Sequence, residues 1–320
     1  MASTVIWLEN LGQGDSGLVG RKCANLGELI RADFPVPPGF ALSLDAYAGF
    51  LASSGAGDEI GRYLASFEAD PDDPKELPRY TEASKVLRGI VESKEMPKAL
   101  RDEVTEFYKE LCARTGVIDV PVAARSAGPA SHPGQYESYM NATGTADVLE
   151  NIVKVWSSTF NTRSLIARAR KGLALDQDPI GVAVLQMVDA RAAGVMFTAE
   201  PTTADANTVV IEGSWGLGEV VVSGAVIPDN WTVDAQALKV VECRPSPTSR
   251  GAAAAADADG AGQTTCLVDD EVVEIAKIGK RIEQHFGKPQ DIEWAVERGP
   301  HASIFILQAR PETFRINFRF

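Results

Sequence analysis

The chain changes texture at residue 120, and that change narrows its folds more than any other feature. Before it, apolar residues recur at helical spacing between proline-rich breaks. After it, they gather into short β-branched runs bounded by turn residues. A helix-rich first part followed by a strand-rich second part reads as α+β. In the first part, a turn-rich stretch at 12–20 opens a helix at 22–30, with Cys23, Leu26 and Ile30 on one face and the prolines at 35, 37 and 38 ending it. Ser43 reads as the N-cap of a helix over 44–52, and 70–78, with Pro71, Pro74 and Pro78, as a surface loop.

In the second part, 122–126 reads as a buried strand entering a Pro/Gly-rich loop at 127–135. Thr145 reads as the cap of a helix whose stripe, Val148, Leu149, Ile152, Val155, Trp156 and Phe160, is core. Strands are expected at 181–188, 194–198, 208–212 and 220–223, a mobile Ala/Gly-rich loop at 245–265, and a helix from Asp269 or Asp270 through Glu283. The chain then forms an antiparallel hairpin, 291–296 with 303–310, across Gly299-Pro300. Apart from that change of texture, a boundary between two lobes is placed at 185/186, giving lobes 1–185 and 186–320.

A hydrophobic fraction of 45% and a charged fraction of 23% are ordinary globular values and argue against disorder or a disulfide miniprotein. The net charge of −13 disfavours general nucleic-acid binding, although a local basic pocket for one nucleotide stays open. The four cysteines, Cys23, Cys112, Cys243 and Cys266, form no CxxC, which argues against zinc and for a reducing compartment. The start carries no signal-peptide pattern, and no apolar stretch approaches the roughly 20 residues needed to span a bilayer. A soluble cytoplasmic protein without membrane attachment is expected.

The final hairpin carries the most chemistry. Alternate strand residues share a face, so Asp291 points with Glu293 and Gln308 with Arg310, while Ile292, Leu307 and Ala309 point into the core. Carboxylate plus amide oxygen suits Mg²⁺, and a guanidinium could neutralise a transferring phosphoryl group. The plainer reading is a solvated face with an acid–Arg ion pair. Lys22, at a helix start behind a glycine turn, suits an anion, or is an ordinary exposed lysine. Arg125 ends a strand before a loop with Gly128 and Gly134, or is a structural arginine. The segment Gly213-Ser-Trp-Gly-Leu-Gly-Glu219 has the wrong glycine spacing for a dinucleotide fingerprint, and β-branched residues rather than a helix follow it. Glu219 could contact metal or nucleotide, or serve only a turn. His132, His285 and His301 have no second ligand at metal spacing and read as structural or exposed.

In order, these pieces resemble the ATP-binding domain shared by phosphoenolpyruvate synthase, pyruvate phosphate dikinase and rifampin phosphotransferase. The matching segments are Leu18-Val-Gly-Arg-Lys-Cys-Ala-Asn-Leu-Gly-Glu-Leu29, Val36-Pro-Pro-Gly-Phe40, Ala124-Arg-Ser126, Gly134-Gln135 with Met140-Asn141, Val184-Leu-Gln-Met187, Gly194-Val-Met-Phe-Thr-Ala199, Trp215-Gly-Leu-Gly-Glu219 with Pro228-Asp229, Gly287-Lys-Pro-Gln-Asp-Ile-Glu-Trp294 and Leu307-Gln-Ala-Arg-Pro311. The ordered set spans nearly the whole chain. The resemblance implies a two-lobed ATP-grasp fold closing on ATP and Mg²⁺. It implies that Lys22 and Arg125 hold phosphates, Gly134 and Ser138 line the phosphate-side loop, and Gln186 with the backbone near Met187 and Val188 meets adenine. Glu293 and Gln308 would bind Mg²⁺, and Arg310 the triphosphate.

Arg21 and Cys23 replace residues that are usually glycine in the family, and the loop after Ser126 is shorter and lacks the usual acidic pair. The swivelling domain with its phosphoryl-accepting histidine has no counterpart among these residues, and His132 does not match its setting. The resemblance therefore implies the ATP-binding subunit of a split dikinase, similar to phenylphosphate synthase. It would form AMP and phosphate and act with a separate histidine-bearing subunit that also binds most of a phenolic or alkylphenolic acceptor. The rivals are an ATP-binding domain excised from a longer enzyme such as a pyruvate, water dikinase or an antibiotic phosphotransferase, a non-catalytic ATP-sensing module, and an ADP-forming ATP-grasp ligase.

Overall fold

The computed structural model describes residues 4–129, 136–176, 178–218, 221, 224–247, 265–299 and 302–312. The chain divides into two compact units, Met1–Glu28 with Pro38–Met187, and Leu29–Pro37 with Val188–Phe320. As expected, the fold is α+β, with helices concentrated in the first unit and antiparallel strands in the second.

The first unit is built on a five-stranded sheet ordered β1-β2-β5-β3-β4, from β1 (Val5–Trp7), β2 (Gly39–Leu42), β3 (Val122–Ala127), β4 (Ser138–Ala142) and β5 (Gly181–Gln186). Phe40, Leu42, Val182, Val184 and Ala124 point into the helical core. The helices there are α3 (Leu44–Ser53), α4 (Ala56–Leu64), α5 (Leu77–Glu92), α6 (Lys98–Thr115), α7 (Gly144–Ser157) and α8 (Thr162–Arg170). Trp156, on the expected stripe of α7, is fully buried and stacks on Tyr47 and Phe50 at ring separations of 5.6 and 5.1 Å. Each such aromatic pair contributes about 0.5–1.5 kcal/mol beyond the area it buries. The opposite sheet face is lined by small residues in one row, Ala41, Ala183 and then Arg125 beside Ser138. On that face lie α1 (Ser16–Val19) and the start of α2 (Arg21–Arg31), where a Cβ on Gly181 would stand 2.3 Å from the Val19 carbonyl.

Ser43 caps α3 as expected, accepting the Ala46 N–H at 3.2 Å. Four details differ from the sequence reading. The strands β1 and β2 lie inside the part that reads as helical, because runs of three or four apolar residues show no period. Helix α5 starts at Leu77, so Pro78 opens a helix instead of closing a loop; in the first turn its missing N–H is harmless. The N-cap position of α7 is Thr143, not Thr145, and the Thr143 N–H is bonded by Asp147 at 2.8 Å. Of the strand expected at 220–223 only Val221 is described, and it is helical. Most of 245–265 lies outside the described residues.

In the second unit a six-stranded sheet runs β11-β10-β6-β7-β8-β9. Its strands are β6 (Ala190–Phe197), β7 (Thr208–Trp215), β8 (Asp229–Asp234), β9 (Lys239–Arg244), β10 (Gln290–Glu297) and β11 (Ile304–Pro311). Helix α9 (Asp269–Phe286) covers one face, burying Val272, Ile275, Ala276 and Ile282 against Met196, Ile211, Trp231, Ile292 and Trp294. Gly213 makes room for Trp294, whose ring atoms would stand 2.8 Å from a Cβ there. The other face carries polar side chains and a small cluster of Ala190, Ala193 and Ala295.

Candidate functional site

Lys22 and Arg125 are brought together inside the first unit by a backbone contact. Gly20 adopts φ +81°, which ends α1 and lets α2 begin at Arg21. A Cβ on Gly20 would stand 2.0 Å from the Ala127 carbonyl oxygen, so only glycine lets the turn press against the end of β3. The Arg21 N–H then donates to the Gly128 carbonyl at 3.0 Å, fixing the start of α2 where β3 leaves the sheet. The positive end of the helix dipole, Lys22 and Arg125 therefore concentrate on one spot. Burial pushes the Cys23 pKa up to about 12, and the charges of Lys22 and Arg125 oppose that rise. Arg125 is 9% exposed and pairs in register with Ser138 of β4. Thus the structure unites Lys22, Arg125 and Ser138. Gly134 lies outside the described residues, as do Glu219, His132 and His301.

Gln186 ends β5, and its N–H donates to Pro38 at 2.9 Å; the Met187 N–H donates to Pro121 at 2.8 Å. These two bonds tie the end of the first unit into its own sheet. Val188 belongs to the second unit and packs against Ala190, Ala193 and Ala295.

The hairpin of the second unit has the expected antiparallel pairing. Glu293 stands opposite Gln308 and Asp291 opposite Arg310. The Gln308 amide donates to Glu293 Oε1 at 3.0 Å, which turns the amide oxygen to the other side of that group. Arg310 donates from Nε and Nη2 to Asp291 Oδ2 at 2.8 and 2.6 Å. The ion pair thus exists; it uses two of the five guanidinium N–H groups and orients the rest. Burial raises the Asp291 pKa, and Arg310 opposes the rise. Ile292 and Ala309 are in the core as expected, but Leu307 is not. A bulge between Glu293 and Trp294 breaks the alternation, and Leu307 joins the alanine cluster with Val188 instead.

Sequence reasoning missed one carboxylate of this surface. Glu212 pairs with Val195, which in turn pairs with Glu293, so both acids occupy one row of the sheet. Two strand spacings separate them, roughly 10 Å. The signal was present in Thr208-Val-Val-Ile-Glu212: Val209 and Ile211 are fully buried in the core, so Glu212 must face away from it. Asn230 donates to Glu212 Oε1 at 3.3 Å. His285, near the end of α9, stands edge-on to Phe34 at 6.2 Å, in keeping with a structural role. Among the described residues no group of three or more His, Cys, Asp or Glu could by itself hold a metal ion. No described helix is long and apolar enough to cross a membrane.

Residues 16–317 match the family described as the pyruvate phosphate dikinase AMP/ATP-binding domain, and the chain belongs to that family. Among curated proteins it is 34% identical over 354 residues to a probable phosphoenolpyruvate synthase of Pyrococcus horikoshii, covering 96% of this chain and 43% of that protein. It is 37% identical over 331 residues to one of Methanothermobacter thermautotrophicus, covering 98% and 46%. A third, from Methanocaldococcus jannaschii, is 36% identical over 323 residues, with coverage of 97% and 26%. The chain therefore spans less than half the length of these relatives.

Proposed function

We propose that this chain is the ATP-binding component of a dikinase-type phosphotransferase that forms AMP and orthophosphate. Membership of the AMP/ATP-binding family supports the nucleotide. The observation that supports the assignment of residues is that the start of α2, which carries Lys22, is bonded to the end of the strand that carries Arg125, so that both cations act on the Cys23 thiol at a helix N-terminus. Lys22 and Arg125 bind the phosphates together with Ser138 and Gly134, and Gln186 with the Met187 and Val188 backbone takes the adenine. Glu293 and Gln308 fit a hard cation: they offer one carboxylate and one amide oxygen, and among the described residues no group of three or more acids, His or Cys stands ready to hold a metal by itself. A magnesium ion held by Glu293 and Gln308 would supply positive charge to shield the triphosphate. Arg310, oriented by Asp291, neutralises the phosphoryl group in transfer, and Glu219 adds a contact to metal or nucleotide.

In the reaction, an imidazole nitrogen of a swivelling domain on a partner subunit attacks the β-phosphorus. The bond from that phosphorus to the α–β bridging oxygen breaks, and AMP leaves. Water then takes the γ-phosphoryl as orthophosphate, and the β-phosphoryl passes from the imidazole to a phenol or alkylphenol bound mainly by the partner. The relatives' name favours a second reading of the last step, in which the product is phosphoenolpyruvate. Product analysis decides. Mixed with a histidine-bearing partner, Mg·ATP and a phenol, the chain should yield one AMP and one orthophosphate per phosphorylated phenol. ADP as the sole nucleotide product overturns the dikinase reading. Phosphoenolpyruvate formed from pyruvate, with no phenyl phosphate, selects the second acceptor.

A further inference from the structure

Strand β4 carries Ser138 and lies at the edge of its sheet among the described residues, paired with β3 and with a bulge in that pairing. A ladder on one side alone leaves such a strand free to shift, so side chains must set its position. They do so over a short span. Arg88, on α5, forks onto Glu137 with Nη1 to Oε1 at 2.7 Å and Nη2 to Oε2 at 2.9 Å, and its Nη2 also reaches the Tyr139 hydroxyl at 3.2 Å. The Tyr139 hydroxyl donates to Glu137 Oε2 at 2.5 Å, closing a triangle. The Glu137 N–H donates to Ser158 Oγ at 3.1 Å, and the Tyr136 hydroxyl donates to Asp178 at 2.5 Å. Glu92 supports Arg88 from one turn away at 3.5 Å.

Glu137 and Tyr139 flank Ser138 and alternate with it, so the tethers hold one side of the strand while Ser138 stands in register with Arg125 on the other. A forked Arg–carboxylate pair fixes direction as well as distance, which apolar packing would not. We infer that Arg88 is a positioning residue: through Glu137 it sets Ser138 beside Arg125 for the phosphates beyond the α-phosphate of the nucleotide. This rests on the nucleotide assignment above. The same tethers would otherwise serve only to stabilise the first unit, and the two roles are separable.

Calorimetry of the full chain with Mg·ATP and with AMP, for wild type, Arg88→Ala, Arg88→Lys, Glu137→Gln and Ser138→Ala, separates them. Arg88→Ala should weaken Mg·ATP about 10- to 100-fold, the scale of a charge-assisted contact, while AMP stays within about twofold. Arg88→Lys and Glu137→Gln, which keep part of the pair, should fall between, and Ser138→Ala should add little on the Arg88→Ala background. Melting curves report any folding loss separately. Mg·ATP affinity unchanged by Arg88→Ala, or ATP and AMP weakened equally, or additive effects with Ser138→Ala, overturn the positioning role alone. A wild-type chain that takes up neither nucleotide overturns the nucleotide assignment and this role with it.

Discussion

In the second unit, Asp291, Glu293, Gln308 and Arg310 meet because two consecutive strands pair in one register. In the first, Lys22 and Arg125 meet because a glycine turn is pressed against the end of a strand distant in sequence. The first arrangement is made by hydrogen bonds of the ladder and survives any change that keeps the register. The second depends on one backbone conformation and on the absence of one Cβ. Clusters of the two kinds should therefore fail differently under substitution.

Gly20→Val is the hardest test of the first unit. It places a branched side chain at φ +81° and against a carbonyl oxygen 2.0 Å from its Cβ. Strain and overpacking together should cost about 3 kcal/mol or more, read from the midpoint of denaturant unfolding. The Cys23 thiol should also lose part of the pull of Lys22 and Arg125, which thiol-titration kinetics can follow. An unfolding midpoint within error of wild type would mean that the turn is not what brings the two cations together.

The counterpart in the second unit is Glu293→Gln. It keeps the size of the side chain and the register opposite Gln308, so the melting temperature should barely move. Mg·ATP affinity should drop on the order of 100-fold, the scale of one preorganised electrostatic contact, with AMP much less affected. A large stability loss with ATP and AMP affinities unchanged would make Glu293 a structural residue and leave the hairpin without a metal role.

The contrast also explains what could be read from the sequence. The hairpin chemistry was legible because strand alternation is local and strict, and its one misplaced residue, Leu307, sits at a bulge that no alternation rule registers. Lys22 and Arg125 were each legible as cations at the end of an element, but nothing in the residues around either one states that they meet. Only tertiary packing around Gly20 brings that about. Likewise β1 and β2 escaped notice because each gains its identity from a neighbour in the sheet, not from its own few residues. Glu212 is a different case: its neighbours Val209 and Ile211 carry the alternation that sets its face, but a lone carboxylate at the end of a short strand has no local partner that marks it as chemistry.

Asp229 sharpens the comparison by showing a tertiary clamp inside the unit governed by strand register. Fully buried, it accepts the Ser246 N–H at 2.6 Å and the Cys266 N–H at 2.7 Å, joining the segments on either side of 248–264. Asp229→Asn turns one acceptor into a donor facing a backbone N–H. The expected loss is about 2 kcal/mol of stability, the scale of a buried donor left unsatisfied. The midpoint of denaturant unfolding of Asp229→Asn against wild type checks it. A midpoint within error of wild type would mean that Asp229 is not what holds the two segments together.

Glu312 gives the smallest effect and the one with a pH signature. Burial, with the charges of Asp291, Glu200 and Glu283 nearby, pushes its pKa up to about 7 from a usual 4.5. Between those values the folded chain keeps a proton that the unfolded chain has released. The neutral carboxyl's contribution is thus complete below 4.5 and lost as pH rises through about 7. Stability should decline across that window in wild type. Glu312→Gln, which stays neutral, should flatten the decline without abolishing it, since the raised pKa of Asp291 acts in the same direction. Melting temperatures taken at several pH values for the two proteins check this, and parallel profiles would mean that Glu312 is not the group that titrates. Because Asp291 also holds Arg310, deprotonating Glu312 adds a negative charge beside that ion pair. That charge should repel any anion approaching the guanidinium, so Mg·ATP affinity should fall slightly with rising pH in wild type and less in Glu312→Gln.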